Sequence, residues 1–276
     1  MQTKDSLKEM VKERYTAIAL QEDDAVCCSS GCCGYTTSVM ADDYKTLDGY
    51  NPDADLGLGC GLPTQFAKIK NGDVVIDLGS GAGNDAFVAQ HETGETGKVI
   101  GVDFSVPMIE RARKNAEVRD VKNVEFRQGD IEHMPVADNT ADVIVSNCVL
   151  NLVPNKDEVF KEIFRVLKPG GHFSISDIVL VGELPSEIKN AAKMYAGCVA
   201  GAIQKEDYLQ LIEANGFKNI TLQKEKAITL PDDILSQYLS EDQLTSFKQS
   251  GTGILSITVY AEKLTAENCC GPECCN

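Results

Sequence analysis

Val74-Val75-Ile76-Asp77-Leu78-Gly79-Ser80-Gly81-Ala82-Gly83-Asn84-Asp85 has the order of a buried strand, a glycine turn and a helix start. Val74 to Leu78 is an apolar run with one acid, short enough for a parallel strand covered on both faces. Gly79, Gly81 and Gly83 follow at alternate positions; lacking Cβ atoms, they let the chain turn sharply and leave room for a ligand against main chain. Asn84 and Asp85 suit a helix N-terminus, where side-chain oxygens accept from N–H groups that lack a helical partner.

Downstream the pattern repeats. A helix is predicted from Asp85 to His91 and a strand over Lys98–Asp103. Ser105 then caps a helix with Pro107 in its first turn and Met108, Ile109, Ala112 and Ala116 on its apolar face. Val124–Arg127, Ala141–Asn147 and His172–Ser176 are further strands, with a turn at Gly129-Asp130-Ile131 and a helix over Lys156–Leu167 that ends before Pro169-Gly170-Gly171. Strand-helix units at this spacing predict an α/β fold: a Rossmann-like, mostly parallel sheet with helices on both faces. Such sheets bind ligands at the carboxyl ends of their strands. Gly79–Gly83, Asp103, Asp130 and Asn147 all fall at those ends. Taken singly, Asp77 could be a strand-end cap, Asp103 a helix cap and Asp130 a turn residue; it is their joint placement that argues for a site.

The flanks are less regular. A packing helix is expected over 5–22, followed by the thiol-rich loop Cys27-Cys28-Ser29-Ser30-Gly31-Cys32-Cys33. Asp53 to Pro63 is glycine-rich, and Cys60 between Gly59 and Gly61 has no apolar run to pack into, so an accessible thiol is expected there. Beyond Asp177, helices are expected over Glu183–Ala200, Lys205–Asn215, Pro231–Tyr238 and Glu241–Phe247, with strands at Ile220–Leu222 and Ile254–Ala261. This divides the chain into an N-terminal helix and cysteine loops (1–70), a ligand-binding core (71–180), a smaller C-terminal α+β capping segment (181–264) and a disordered cysteine-rich tail (265–276).

Composition narrows the function. The net charge of −16 disfavours nucleic acid, whose affinity rests on Lys and Arg neutralising phosphates. There is no apolar stretch of about 18 residues, and the charged N-terminus has no signal-peptide core, so neither membrane nor export is expected; a cytoplasmic monomer acting on a small molecule is. Eleven cysteines in a reducing compartment point to metal or metalloid binding, or to redox chemistry, more than to structural disulfides.

The glycine loop is one residue too short for the dinucleotide pattern G-x-G-x-x-G. Asp77 ahead of it would repel a pyrophosphate but welcome an amine. Asp103, about 20 residues on, is placed for ribose hydroxyls, and Asp130-Ile131 offers an acceptor and an apolar wall to an adenine. An aminoacyl, ribose and adenine ligand without phosphates is S-adenosylmethionine (SAM), and residues 70–180 resemble the class I SAM-dependent methyltransferases. The cofactor residues expected are Asp77, Gly79, Ser80, Gly81, Gly83, Asp103, Met108, Asp130, Ile131 and Asn147.

Cys148 follows strand Ala141–Asn147 directly, beside this site; Cys198 lies on the capping segment and Cys60 in the loop before the sheet. Either of the first two could be a small buried hydrophobe. Three thiols converging on a methyl donor suit a soft centre such as trivalent arsenic. Over nearly its whole length the chain resembles the arsenite methyltransferases, through Gly59-Cys60-Gly61-Leu62, Asp77–Gly83, Ser146-Asn147-Cys148-Val149-Leu150-Asn151-Leu152-Val153-Pro154 and Gly197-Cys198. The resemblance implies As(III) on Cys148 and Cys198. It implies also that Cys60, with an earlier cysteine, Cys32 or Cys33 and here assigned to Cys32, takes part in binding and in a disulfide step that returns pentavalent product to the trivalent state. It further implies a thiol reductant such as glutathione or thioredoxin. The family often has an aromatic residue just before the Gly-Cys-Gly loop, where this chain has Leu58. Two other readings remain open at this point: a SAM-dependent methyltransferase for a small organic acceptor, and a non-enzymatic thiol-rich metalloid-binding protein.

Overall fold

The computed structural model describes residues 11, 13, 15–20, 42–184, 199, 201–229, 232–236 and 239–265. In chain order its helices and strands are α1 (Pro63–Phe66), β1 (Val74–Leu78), α2 (Asn84–Thr93), β2 (Lys98–Asp103), α3 (Val106–Val118), β3 (Val124–Gln128), β4 (Ala141–Asn147), α4 (Lys156–Val166), β5 (Leu167–Val181), α5 (Lys205–Ala214), β6 (Lys218–Ile228), α6 (Asp232–Leu235), α7 (Glu241–Gln249) and β7 (Gly253–Glu262). The strands form one seven-stranded sheet in the order β3-β2-β1-β4-β5-β7-β6. The pairings from β3 through β5 are parallel, and β7 runs antiparallel between β5 and β6. This is the expected α/β, Rossmann-like architecture.

Both faces of the parallel strands are buried, and the period of two along each strand decides what each face packs on. Ile76, Leu78 and Ile144 share a core with Phe160 of α4 and Tyr208 and Ile212 of α5. Their neighbours Val75, Val143 and Val145 pack with Phe87 of α2 and Ile109 and Ala112 of α3. Aromatic edges knit the first core: Phe173 lies 4.9 Å from Phe217 and 6.0 Å from Phe160, ring centre to ring centre. β1 sits between β2 and β4, so the chain reverses its direction of build there and a crevice opens at the carboxyl ends of β1 and β4.

Departures from expectation have local causes. β5 runs for 15 residues, through the Pro-Gly-Gly segment and past both ends of the strand expected over His172–Ser176. The irregularity is absorbed as a register shift against β4 between Ala141 and Val143, a bulge that Gly170, at φ +85°, accommodates. β6 spans 11 residues where three were expected. Its Lys-Glu-Lys run hides the apolar alternation because it is a sheet edge, where charge guards against pairing with another chain. Helical residues at 11, 13 and 15–20 fall inside the helix expected over 5–22. Glu183 and Leu184 are not helical, and the remainder of the helix expected over Glu183–Ala200 lies almost entirely outside the described residues, as do the Cys27–Cys33 loop and the tail from 266. Among the described residues no helix is long and apolar enough to cross a membrane.

Phe173→Ala removes a fully buried ring from the aromatic cluster and is expected to lower unfolding free energy by about 3–5 kcal/mol. Urea denaturation followed by circular dichroism measures it; a loss below about 1 kcal/mol would mean that the cluster does not hold the sheet to α4 and α5.

Candidate active site

The crevice is built by three strand ends. Asp77 is the penultimate residue of β1, Asp103 the last of β2 and Asn147 the last of β4. The turn after β1 is held from behind: Gly79 and Ser80 N–H groups donate to the Val102 carbonyl at 2.8 and 3.1 Å, and Gly81 N–H donates to Asp103 Oδ2 at 3.0 Å. Gly79 has φ +67°, and a Cβ there would fall 2.4 Å from Val149 Cγ2, so both conformation and space demand glycine. Gly81 also has positive φ, but a Cβ would meet nothing within 4 Å, because this face of the turn opens onto the crevice.

A cavity of about 150 Å³ fills the crevice, bounded by Asp77, Gly79–Ala82, Asp103, Met108, Asn147 and Cys148, with Leu58 also at its wall. A smaller cavity of about 60 Å³ continues it past Phe104 and Val149 to Asp130 and Ile131. Of the ten expected cofactor residues, nine therefore line one or other cavity. Gly83 does not: it stands behind the turn as the N-cap of α2, at φ +100°, close against the Phe87 and Phe126 rings. Asp103 faces both cavities while its two carboxylate oxygens accept from Gly81 and Ser105 N–H groups, so it fixes the loop as well as offering an acceptor.

The electrostatics of the crevice select its ligand. The larger cavity is lined by Asp42, Asp55, Asp77, Asp85 and Asp103, and by no Lys, Arg or His among the described residues. Burial, then the neighbouring charges of Asp85 and Asp103, push the Asp77 carboxyl well above the usual carboxylate range. Asp77 Oδ2 is buried without a hydrogen-bond partner, and Ser80 Oγ likewise. Buried acceptors left unmatched are costly and mark where a ligand's donors belong. SAM carries an ammonium and a sulfonium, has no phosphate and ends in an adenine. It fits an anionic crevice with an apolar annex, and a pyrophosphate does not.

On the other side of Cys148 lies a second compartment. Cys60 and Cys148, 0% and 2% exposed, belong to one buried cluster with Ile178, Leu180, Val199, Leu235 and Ile254. The expectation that Cys60 is accessible is therefore wrong. Its flanking glycines serve close approach rather than mobility: a Cβ on Gly59 would fall 2.6 Å from Asn147 Nδ2, and one on Gly61 2.5 Å from Ser176 Oγ. The loop is pressed onto the end of β4 and the middle of β5 and tied to β7, where Ser256 Oγ donates to the Cys60 carbonyl at 2.6 Å. Cys148 takes the left-handed conformation, φ +62°, uncommon for a residue with a side chain and held by its N–H donating to the Ser176 carbonyl. Both sulfurs are thiols rather than disulfide sulfurs. Cys198 and Cys32 lie outside the described residues.

The chain can now be set beside known proteins. A methyltransferase-domain family model matches residues 69–216. An arsenite methyltransferase from Aquipseudomonas alcaligenes is 33% identical over 248 residues, covering 87% of this chain and 70% of the relative. The chain belongs to the arsenite methyltransferase family. The family's member from Halobacterium salinarum is 39% identical over 93% of this chain, which spans 66% of that relative's length. A crystal structure of an arsenic(III) S-adenosylmethionine methyltransferase from Chlamydomonas reinhardtii superposes with a TM-score of 0.63 at 32% identity, over 75% of this chain and 68% of that one.

Four residues of this arsenite methyltransferase-family site escape a sequence reading. Tyr44 is buried and reaches the crevice from a short 3-10 turn 41 positions before Asp85, with no local pattern to announce it. Asp85, which reads as a helix-end residue, is buried in the first turn of α2 and accepts from the Tyr44 hydroxyl at 2.8 Å; burial raises its carboxyl to about 6. Asp177 and Tyr208 lie under the thiol cluster. Asp177 accepts from Asn151 Nδ2 at 2.8 Å and from the Tyr208 hydroxyl at 3.3 Å, and burial lifts its carboxyl to about 7 although Lys156 pulls it down. Both Cys60 and Cys148 act electrostatically on Tyr208, whose hydroxyl is pushed well above its ordinary range by burial first and then by Asp177.

A carboxyl that holds its proton to about pH 7 when folded, and to 3.8 when unfolded, stabilises the fold fully below pH 3.8 and less as pH rises toward 7, because only the unfolded chain releases the proton over that interval. Asp177→Asn is therefore expected to lessen the fall in stability between pH 5 and pH 8 by at least about 1 kcal/mol relative to the parent. Urea midpoints at the two pH values give the comparison, and parallel falls in parent and variant would show that Asp177 is ionised in the fold.

Proposed function

We propose that this protein transfers a methyl group from SAM to trivalent arsenic held by cysteine thiolates, converting arsenite or its thiol conjugate to methylated arsenicals. The observation that carries the reading is the position of Cys148: it directly follows the strand that forms the donor crevice, and it belongs both to the wall of that cavity and to the buried cluster holding Cys60. A thiophilic centre bound there sits between two compartments, one anionic and shaped for a cation, the other apolar and thiol-bearing.

The chain's own contribution is orientation and desolvation. Asp77 offers an unmatched carboxylate oxygen for an amine, the Gly79–Gly81 turn brings backbone close, and Asp130 with Ile131 offers an adenine slot. SAM supplies, when bound, a sulfonium methyl open to attack by a soft nucleophile. The arsenic lone pair forms the new As–C bond as the donor's S–C bond breaks, so arsenic is formally oxidised by two electrons and S-adenosylhomocysteine is left neutral at sulfur. Cys60, Cys148 and Cys198 are assigned as the arsenic ligands. Burial excludes the water that would compete for arsenic, and fixed attack geometry is worth up to about 7–11 kcal/mol. Two electrons from a thiol pair, assigned to Cys60 and Cys32, return arsenic to the trivalent state with formation of a disulfide. Glutathione or thioredoxin is the reductant assigned to reopen that disulfide, and the protein is taken to work as a cytoplasmic monomer.

Incubation with arsenite, methyl-labelled SAM and glutathione, followed by separation of arsenic species, is expected to yield labelled methylarsenicals. Cys148→Ser is expected to lower the rate by at least about 100-fold while leaving SAM binding within about threefold, since thiolate ligation selects such a centre. A protein that binds SAM but yields no methylated arsenic would defeat the reading.

A further inference from the structure

One group of side chains belongs to both compartments at once. Asn147 faces the donor cavity, yet its amide is spent on the thiol loop: Oδ1 accepts from Cys60 N–H at 2.9 Å and Gly61 N–H at 3.3 Å, while Nδ2 donates to the Gly61 carbonyl at 2.9 Å. Nδ2 also donates to the Tyr44 hydroxyl and reaches Asp85 Oδ2 at 3.2 Å. Tyr44 in turn donates to the Asp85 carboxylate, both of whose oxygens lie 2.8 Å from its hydroxyl. Tyr44, Asp85 and Asn147 all line the donor cavity with Asp77. Together they brace the backbone of Cys60 from one side, with Ser256 on the other.

We propose that Tyr44, Asp85 and Asn147 are positioning residues that link occupancy of the donor cavity to the placement of Cys60, so that donor binding locks the thiol loop into its buried, arsenic-ready position. This rests on the function proposed above for the donor. The differential contact follows from charge. Without a cation, Asp77 and Asp85 line the same cavity and the charge of Asp85 pushes the buried Asp77 carboxyl up. A donor cation beside Asp77 offsets that repulsion, and an ionised Asp85 holds Tyr44 and Asn147 by charge-assisted hydrogen bonds, the stronger kind. Those two side chains hold Cys60 and Gly61. Linkage requires the converse as well: a ligand fixing Cys60 must tighten donor binding by the same factor.

The test is site-resolved alkylation of Cys60 by iodoacetamide in the full chain, read by peptide mass spectrometry, with S-adenosylhomocysteine titrated in and its binding measured by calorimetry on the same samples. In the parent, saturating S-adenosylhomocysteine is expected to slow Cys60 alkylation by tenfold or more. Tyr44→Phe, which keeps the ring and removes only the hydroxyl, is expected to show protection of Cys60 below twofold at saturating S-adenosylhomocysteine, whatever its affinity for that ligand. Asn147→Ser serves as the second variant; because Asn147 itself lines the donor cavity, it is read only at saturating S-adenosylhomocysteine, where protection of Cys60 is again expected to stay below twofold, and thermal melts confirm that each variant is folded. Full protection of Cys60 in folded Tyr44→Phe and Asn147→Ser overturns the brace, as does a parent that binds S-adenosylhomocysteine with unchanged Cys60 reactivity. A parent that fails to bind S-adenosylhomocysteine at all overturns the donor reading itself, and the brace with it. The readout needs no arsenic, so failure of arsenic methylation alone leaves the two questions separate.

Discussion

The site depends on keeping several carboxylates buried at one sheet edge. Asp77, Asp85 and Asp103 are 2%, 7% and 7% exposed, and the wall they share offers no basic side chain among the described residues. Removing an ionised carboxylate from water is expensive, and it is tolerated only where a partner or a proton compensates. Here compensation is partial: backbone N–H groups for Asp103, a phenol and an amide for Asp85, and Ala86 N–H for one oxygen of Asp77. The residual imbalance is a standing preference for a cation. The fold bears its cost through the two apolar cores above and below the sheet, which are dense in aromatic and branched side chains.

A second constraint comes from the sheet. Because β4 is shared by crevice and thiol cluster, one peptide unit, Asn147-Cys148, turns the chain from one compartment into the other. The positive φ at Cys148 swings its thiol in this turn. A regular strand continuation would send successive side chains to opposite faces of the sheet. The local strain and the two compartments have the same origin.

Much of this was legible in the residue order. The strand-glycine-helix signal at Val74–Asp85, the acid ending β2 and the Ser-Asn-Cys ending β4 are local patterns, and local patterns report local structure. They located the crevice and nine of its expected residues. What they did not convey was distance in the chain. Tyr44 meets Asp85, and Cys60 meets Asn147, only because a glycine-rich loop folds back on the sheet. The same glycines that permit that approach suggested an exposed thiol. Asp85 and Asp177 escape for a related reason: they are of types usually found in water, and only tertiary packing encloses them. The edge strand β6 was under-read because its charges answer to the solvent and not to a core.

The placement of β7 also bears on how the molecule comes into being. This strand is the last among the described residues, yet it occupies an interior slot between β5 and β6 and pairs with ten residues of β5. During synthesis the part of the donor crevice made by residues 42–153 emerges well before residues 253–262. Until they arrive, β5 has an open side, β6 has no neighbour, and Ser256 and Ile254 are missing from around Cys60. The thiol compartment is thus closed by β7, whereas the parallel half of the sheet and its glycine turn can assemble first. The order of translation separates the making of a methyl-donor crevice from the enclosure of the sulfur atoms beside it.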